Sequence, residues 1–165
     1  MREVEEIIQE LLKFSDKILE INPPVQPEMV SEFEQKYDVK LPNDYKYLLN
    51  CTNGFSLMGT GVLGLYHEQN VNSLQEIYDI EHYQVNNPQP RYLVPFHNDG
   101  RGNFYCFDTR KESSHGDSCP VVFWQHDLDY SKAEPEIVNE NLIEWIQEVA
   151  IDWTLEDYDY NGDEK

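Results

Sequence analysis

The chain of 165 residues is long enough for one domain with a substantial core, and its 39% hydrophobic content excludes a wholly disordered protein. Its 32 acidic and 12 basic residues give a formal net charge of -20. This charge argues against nucleic acids and anionic membrane surfaces as partners, because both attract clustered Lys and Arg. It favours a basic protein partner, although many acidic proteins have no such partner.

Three helices are expected in the first third of the chain. Residues 3–20 predict the first, because apolar side chains recur at the helical period: Val4, Ile7, Ile8, Leu11, Leu12, Ile18 and Leu19. The prolines at Pro23 and Pro24 end that helix, and Pro27 is a favoured first-turn residue for the second. A third helix is expected to begin at Asn43 or Asp44, which can cap its first turn.

The middle of the chain predicts strands. A glycine-rich strand is expected over 59–66 and a short helix over 73–83. Strands over 92–97 and 103–109 flank a turn with two glycines, and this pattern indicates a β-hairpin. A further strand is expected at Val121–Trp124.

The C-terminal region predicts one more helix and a tail. An amphipathic helix is expected from Asn141, with an inward stripe formed by Trp145, Ile146, Val149 and Trp153. The order of helices, strands and helix predicts a single α+β domain, mainly an antiparallel twisted sheet flanked by N-terminal and C-terminal helices. We place this domain at 1–155, and we expect 156–165 to be an acidic, mobile tail.

The sequence indicates a cytoplasmic protein. No segment approaches the roughly 18 apolar residues of a membrane helix, and the first residues lack the pattern of a signal peptide. The three cysteines, Cys51, Cys106 and Cys119, are odd in number and lack Cys-x-x-Cys spacing, so we expect reduced thiols.

No pattern in the sequence predicts catalysis, a cofactor or a metal site. Asp157-x-Asp159-x-Asn161-Gly162 resembles the start of a calcium-binding loop, but the glutamate that closes such a loop is missing. The cysteines and histidines lack zinc-site spacing, and neither Cys106 nor Cys119 has basic neighbours that would activate a thiol. Asp127 and Asp129 follow His126 and could be imagined as an acid and a base, but a short acidic run after a strand is typical of a solvated loop.

The aromatic residues leave two interpretations open. Tryptophans are usually core residues, and Trp124 and Trp145 fit that role because they lie on an apolar strand and a helix stripe. Trp153 and Tyr158 instead lie near the acidic C-terminus, where aromatic and acidic side chains together are typical of a protein-binding surface.

Three motifs in a fixed order resemble the SUKH superfamily, which includes yeast cell-wall synthesis regulators and many bacterial immunity proteins. The first runs from Phe33-Glu34 through Leu41-Pro42-Asn43-Asp44-Tyr45 to Asn53-Gly54. The second is Phe96-His97-Asn98-Asp99-Gly100, continuing to Asp108, and the third is Cys119-Pro120-Val121-Val122-Phe123-Trp124-Gln125-His126-Asp127. They span 27–127. Two features depart from the superfamily pattern: Gln125 stands where an acidic residue is more usual, and the N-terminal helix extends further than the motif requires.

The resemblance implies a non-enzymatic function. Bacterial members typically neutralise a cognate polymorphic toxin, often a nuclease whose basic cleft would complement an acidic inhibitor. The alternative is a regulatory scaffold of the Smi/Knr type, which binds cellular proteins without a toxin. The sequence does not indicate an oligomeric state. We expect the partner-binding residues in acidic and aromatic loops at the sheet ends, namely Asp99, Asp117, Asp127, Asp129 and Tyr130.

Overall fold

Two antiparallel sheets and the helices packed on them make up the computed structural model, which describes residues 1–66, 72–112 and 118–165. The predicted contact residue Asp117 lies outside this described part of the chain. The helices are α1 (Arg2–Leu11), α2 (Pro27–Tyr37), α3 (Asn43–Cys51), α4 (Leu74–Tyr83) and a C-terminal helix over 142–157. The strands are β1 (Leu19–Ile21), β2 (Phe55–Leu57), β3 (Thr60–Val62), β4 (Leu93–Asn98), β5 (Phe104–Asp108), β6 (Val121–Trp124) and β7 (Glu136–Asn139). The mixed α+β architecture confirms the predicted fold class.

The first helix is shorter than predicted. It ends at Leu11, and the residues predicted as its last turn form β1, which pairs with β2 in the order β1–β2–β3. Leu19 lies opposite Leu57, a partner far along the chain that helical periodicity in a short window cannot reveal. The strand predicted over 59–66 is also shorter, because Gly59 and Met58, both with positive φ, form the turn between β2 and β3.

The first motif holds the helices against the sheets. Glu34 on α2 accepts a hydrogen bond from the Leu41 backbone N–H at 2.8 Å, which fixes the chain just before α3. Tyr45 on α3 is fully buried and donates its hydroxyl proton to the Leu63 carbonyl oxygen at 2.7 Å. Asn53, at the end of the motif, accepts from the Leu65 N–H at 2.7 Å. These motif residues therefore have structural roles inside the domain.

The second sheet, in the order β4–β5–β6–β7, is covered on both faces. One face contributes Phe96, Phe107 and Val121 to the main core, where Trp145 packs edge-on against Phe96. The other face forms a smaller apolar cluster, and Ile77 of α4 packs against it. The cluster consists of Leu93, Phe104, Cys106, Val122 and Trp124. The predicted β4–β5 hairpin is present, with a bulge between Pro95 and His97.

Strand β7 is an element that the sequence analysis missed. It is the edge strand of the sheet, and Ile137 and Val138 are both exposed. Its residues therefore lack the alternation of buried and exposed positions by which strands are predicted. A register shift opposite Val121 and Val122 adds to this irregularity.

The C-terminal helix changes its geometry along its length. It begins with an α-helical turn, Leu142–Trp145, continues as the π-helical segment Ile146–Asp152, and ends with Trp153–Asp157. At the end of the π-helical segment, the Trp153 N–H donates to the Glu148 carbonyl oxygen, five residues earlier. This wider turn shifts the helical phase. Of the two interpretations of Trp153, the inward position is therefore wrong, since the residue is 51% exposed.

The last residues pack against the first helix, although the sequence suggested a mobile tail. Tyr158 pairs with Glu164 in a short antiparallel bridge, and the Ser15 N–H donates to the Tyr160 carbonyl oxygen at 2.7 Å. The Tyr160 ring lies 4.7 Å from the ring of Phe14, between centroids, and its hydroxyl donates to Glu10. Residues of the predicted tail thus contact α1 and the residues that follow it.

Candidate protein-binding surfaces

The sheet-end surface comprises four of the five predicted contact residues, Asp99, Asp127, Asp129 and Tyr130. The β4–β5 turn and the loop after β6 lie side by side at this end of the second sheet. The Asn103 side-chain oxygen is 3.0 Å from Nδ1 of His126 and 3.3 Å from the His126 backbone nitrogen. The structure thereby joins the turn that contains Asp99 to the loop that contains Asp127.

Asp99 holds the hairpin turn together. Its Oδ1 accepts hydrogen bonds from the N–H groups of Arg101 at 2.8 Å and Asn103 at 3.0 Å, and its Oδ2 accepts from the Asn103 amide at 2.8 Å. Although burial alone would raise the pKa of Asp99, these hydrogen bonds hold it below the usual value. Both carboxylate oxygens are therefore used within the turn.

The other three residues differ in how much of their side chain is free. The Tyr130 hydroxyl accepts from the Gln125 N–H at 2.9 Å, and its ring stacks on Trp124 with centroids 4.4 Å apart. Asp129 accepts from the Ser131 N–H at 2.8 Å, and this hydrogen bond lowers its pKa. Asp127 is exposed, and its side chain forms no hydrogen bond or ion pair with the described residues. Asp127 is therefore the sheet-end residue whose carboxylate is not used in hydrogen bonds within the described residues.

A second acidic surface, which the sequence analysis did not predict, lies between α1 and the C-terminal helix. Two adjoining cavities of ≈ 530 Å³ and ≈ 320 Å³ share Glu3, Ile7, Ile143 and Gln147 and form one open groove. We call it the helical groove. Its acidic lining residues are Glu3, Glu6, Glu10, Glu140, Glu144, Glu148 and Asp152.

Side chains are the main internal partners of the groove carboxylates. Glu6 pairs with Arg2 at 2.7 Å, and Glu10 pairs with Lys13. Hydrogen bonds from Lys13 and Tyr160 lower the pKa of Glu10 below its usual value. Further contacts are Glu148 with the Asn139 amide and Asp152 with the Gln147 amide, each at 2.7 Å. Glu144 instead accepts from the Glu140 N–H, as in a helix capping box.

The sequence contains a signal for this groove. Acidic residues recur every four positions at Glu140, Glu144, Glu148 and Asp152, which places them on one helix face. Glu3, Glu6 and Glu10 have similar spacing on α1. That the two acidic faces adjoin follows from tertiary packing, which spacing within a single helix cannot reveal.

Two of the three thiols, Cys106 and Cys119, are buried, and so is most of the His97 ring. Burial raises the pKa of the Cys119 thiol to about 12 and that of the Cys106 thiol well above its usual value. Burial lowers the pKa of His97, whose ring packs against Trp145 at 5.2 Å. Asp159 accepts from the N–H groups of Asn161 and Asp163 and so closes its own turn. In the described part of the chain, no group of three or more His, Cys, Asp and Glu could hold a metal ion.

All three cysteines are free thiols, with Cys51 exposed and the other two buried. No helix in 1–66, 72–112 or 118–165 combines the length and the apolar composition that crossing a membrane requires.

The chain is similar to known proteins both in sequence and in fold. The model of a family described as SMI1 / KNR4 family (SUKH-1) matches residues 24–148. The uncharacterized protein YnaB of Bacillus subtilis (strain 168) is 31% identical over 100 residues, which cover 60% of this chain and 60% of YnaB. A crystal structure of a protein from Pseudomonas syringae pv. tomato superimposes with a TM-score of 0.59 at 18% identity, over 88% of this chain and 96% of that chain. At this identity the superposition shows a shared fold alone.

Proposed function

Because this chain belongs to the SMI1/KNR4 family (SUKH-1), we propose that it is a non-enzymatic cytoplasmic inhibitor that binds and neutralises a basic protein toxin. The observation that carries this proposal is the excess of carboxylates over cations at the surface. The sequence has 32 acidic residues against 12 basic ones, so its carboxylates outnumber the cations available to pair with them by 20. A surface of this kind attracts a protein with clustered Lys and Arg.

Inhibition would follow from occlusion and charge complementarity. A toxin that acts on nucleic acid presents a basic cleft to the phosphates, and an acidic protein that occupies this cleft excludes the substrate. Long-range attraction between opposite charges speeds association, and this effect weakens as salt rises. The inhibitor would act stoichiometrically, since it needs to bind and not to turn over.

The burial of Cys106 and Cys119 supports a binding role over an enzymatic one. A cysteine nucleophile needs a lowered pKa and access to solvent, and Cys106 and Cys119 have raised pKa values and little exposure. The sheet-end residues Asp99, Asp127, Asp129 and Tyr130 remain a predicted contact surface within this proposal.

Co-expression with the toxin domain encoded beside its gene tests the proposal. We expect rescue of growth, co-purification at a 1:1 ratio, and a dissociation constant that rises steeply with salt. An inactive-site variant of the toxin should still bind, because binding does not depend on toxin chemistry. Failure to rescue growth and to form a complex would contradict the proposal and favour the regulatory scaffold role that the resemblance also implies.

A further inference from the structure

Building on the proposed function, we propose that the helical groove holds the protein partner, together with Trp153, which follows the groove residue Asp152 in sequence. The occupant we infer is an amphipathic basic segment, which directs Lys and Arg toward the carboxylates and aliphatic side chains toward the groove floor.

The charge of the groove favours such an occupant. Seven carboxylates line it, and two of them are paired with cations of α1 and its end, Glu6 with Arg2 and Glu10 with Lys13. The Arg2 side chain is 89% exposed, so its pairing with Glu6 is easily exchanged for a pairing with a partner cation. The Glu3 side chain forms no hydrogen bond or ion pair within the described part of the chain.

The floor of the groove is apolar. Ile7 and Ile143 line both cavities; Ile7 is buried and Ile143 is partly buried in the main core. An apolar floor between charged walls matches an amphipathic segment and not a uniformly charged polymer, because aliphatic side chains gain from contact with the floor. The two features together define one class of occupant.

The π-helical segment supplies the third feature. It brings Gln147 and Asp152, five residues apart, into hydrogen-bonding contact at the groove, and it turns the next residue, Trp153, outward. Exposed tryptophans are enriched among residues whose truncation strongly weakens protein complexes. Trp153 is the exposed tryptophan of this chain, since Trp124 and Trp145 are buried.

The groove also lies partly outside the region shared with the family. The family model covers 24–148, whereas α1 precedes it and Asp152 and Trp153 follow it. Within the shared region, motif residues such as Glu34, Tyr45 and Asn53 bond internally. Segments outside the common fold are therefore available for a specific partner.

Three matched double variants test this assignment, and each removes two negative charges. Glu3→Gln with Asp152→Asn neutralises both groove walls, and Asp127→Asn with Asp129→Asn neutralises the sheet end. Glu28→Gln with Glu32→Gln neutralises exposed positions on α2 as a control for net charge. The probes are the toxin domain of the rescue assay and a synthetic 16-residue helical peptide with Leu on one face and Lys on the other. Thermal unfolding of each variant verifies that it folds.

We expect the groove pair to weaken binding of both probes about tenfold, and the other two pairs to change it less than about twofold. Equal losses in all three variants, or the largest loss at the sheet end, would overturn the groove assignment. The proposed function would survive that outcome, because the wild-type protein would still bind and neutralise the toxin.

Tryptophan fluorescence gives a second readout that does not depend on charge. On binding the peptide, Trp153 should move to an apolar environment, so its emission should shift to shorter wavelength and become less accessible to acrylamide. The Trp153→Phe variant should lose this change and retain the signals of Trp124 and Trp145. An unchanged shift in that variant would remove Trp153 from the interface.

Discussion

The sheet-end surface and the helical groove are both acidic, but their carboxylates do different work. At the sheet end, Asp99 and Asp129 accept hydrogen bonds from backbone N–H groups and thereby shape their own loops. In the groove, most internal donors are side chains, as with Arg2 and Lys13, and a partner cation can replace them. The comparison teaches that the exposure of a carboxylate does not decide whether it can bind a partner. A carboxylate can do so when a cation of the partner can replace its present hydrogen-bond donor.

Charge reversal should separate the two surfaces most strongly. Glu3→Lys with Asp152→Lys places two cations on opposite walls of the groove, where they would repel a basic partner. We expect the affinity for the toxin domain to fall about 100-fold, mainly through slower association, with growth rescue lost. The matched change, Asp127→Lys with Asp129→Lys, should cost less than about tenfold. A reversed order of these losses, measured by surface plasmon resonance, would break the comparison.

For the free energy of unfolding, we expect substitutions at the sheet end to have a larger effect than substitutions in the groove. Asp99→Ala removes three hydrogen bonds from the hairpin turn and should lower the free energy of unfolding by about 1–2 kcal/mol. Glu3→Ala should change it by less than about 0.5 kcal/mol, because the Glu3 side chain forms no hydrogen bond or ion pair within the described residues. Urea unfolding at pH 7 measures both values. Similar losses would show that the two acidic surfaces are structurally equivalent.

Acidification should affect the sheet end through His97, on the strand that leads into the Asp99 turn. Because burial lowers the pKa of His97 below its ordinary 6.5, the unfolded chain takes up this proton first as pH falls. The part of the free energy of unfolding that depends on neutral His97 should therefore be fully present above pH 6.5 and should be lost as the pH falls through and below that value. In His97→Gln, urea unfolding between pH 7 and pH 5 should show a smaller decrease, with His82 providing part of the remainder. An unchanged pH dependence would contradict this role.

Much of the fold was predictable, because its determinants are local. Pro27 begins α2, Ser73 caps α4 through the Glu76 N–H, and Gly100 and Gly102 adopt the positive φ that the predicted hairpin turn requires. Strand β1 was missed because it acquires its structure from pairing with β2, and β7 because both its apolar residues are exposed. Neither property is encoded in a short window of sequence.

The candidate sites were less predictable than the fold. The sequence located acidic loops, but it could not distinguish Asp127 from Asp99. Within the described residues the Asp127 side chain forms no hydrogen bond or ion pair, whereas both carboxylate oxygens of Asp99 accept hydrogen bonds in the turn. It placed Trp153 inward by assuming an α-helix throughout, whereas the π-helical segment changes the direction of every side chain that follows. The groove itself depends on the contact between two helices at opposite ends of the chain.

The π-helical segment also separates what the core requires from what the surface presents. Successive residues of an α-helix are rotated by about 100°, so one residue gained or lost before Trp153 would redirect all the later side chains while Trp145 and Ile146 keep their buried positions. A change of length at this point is thus a single-step route to a new recognition surface, at the cost of the core contacts that Leu155 and Tyr160 make after it.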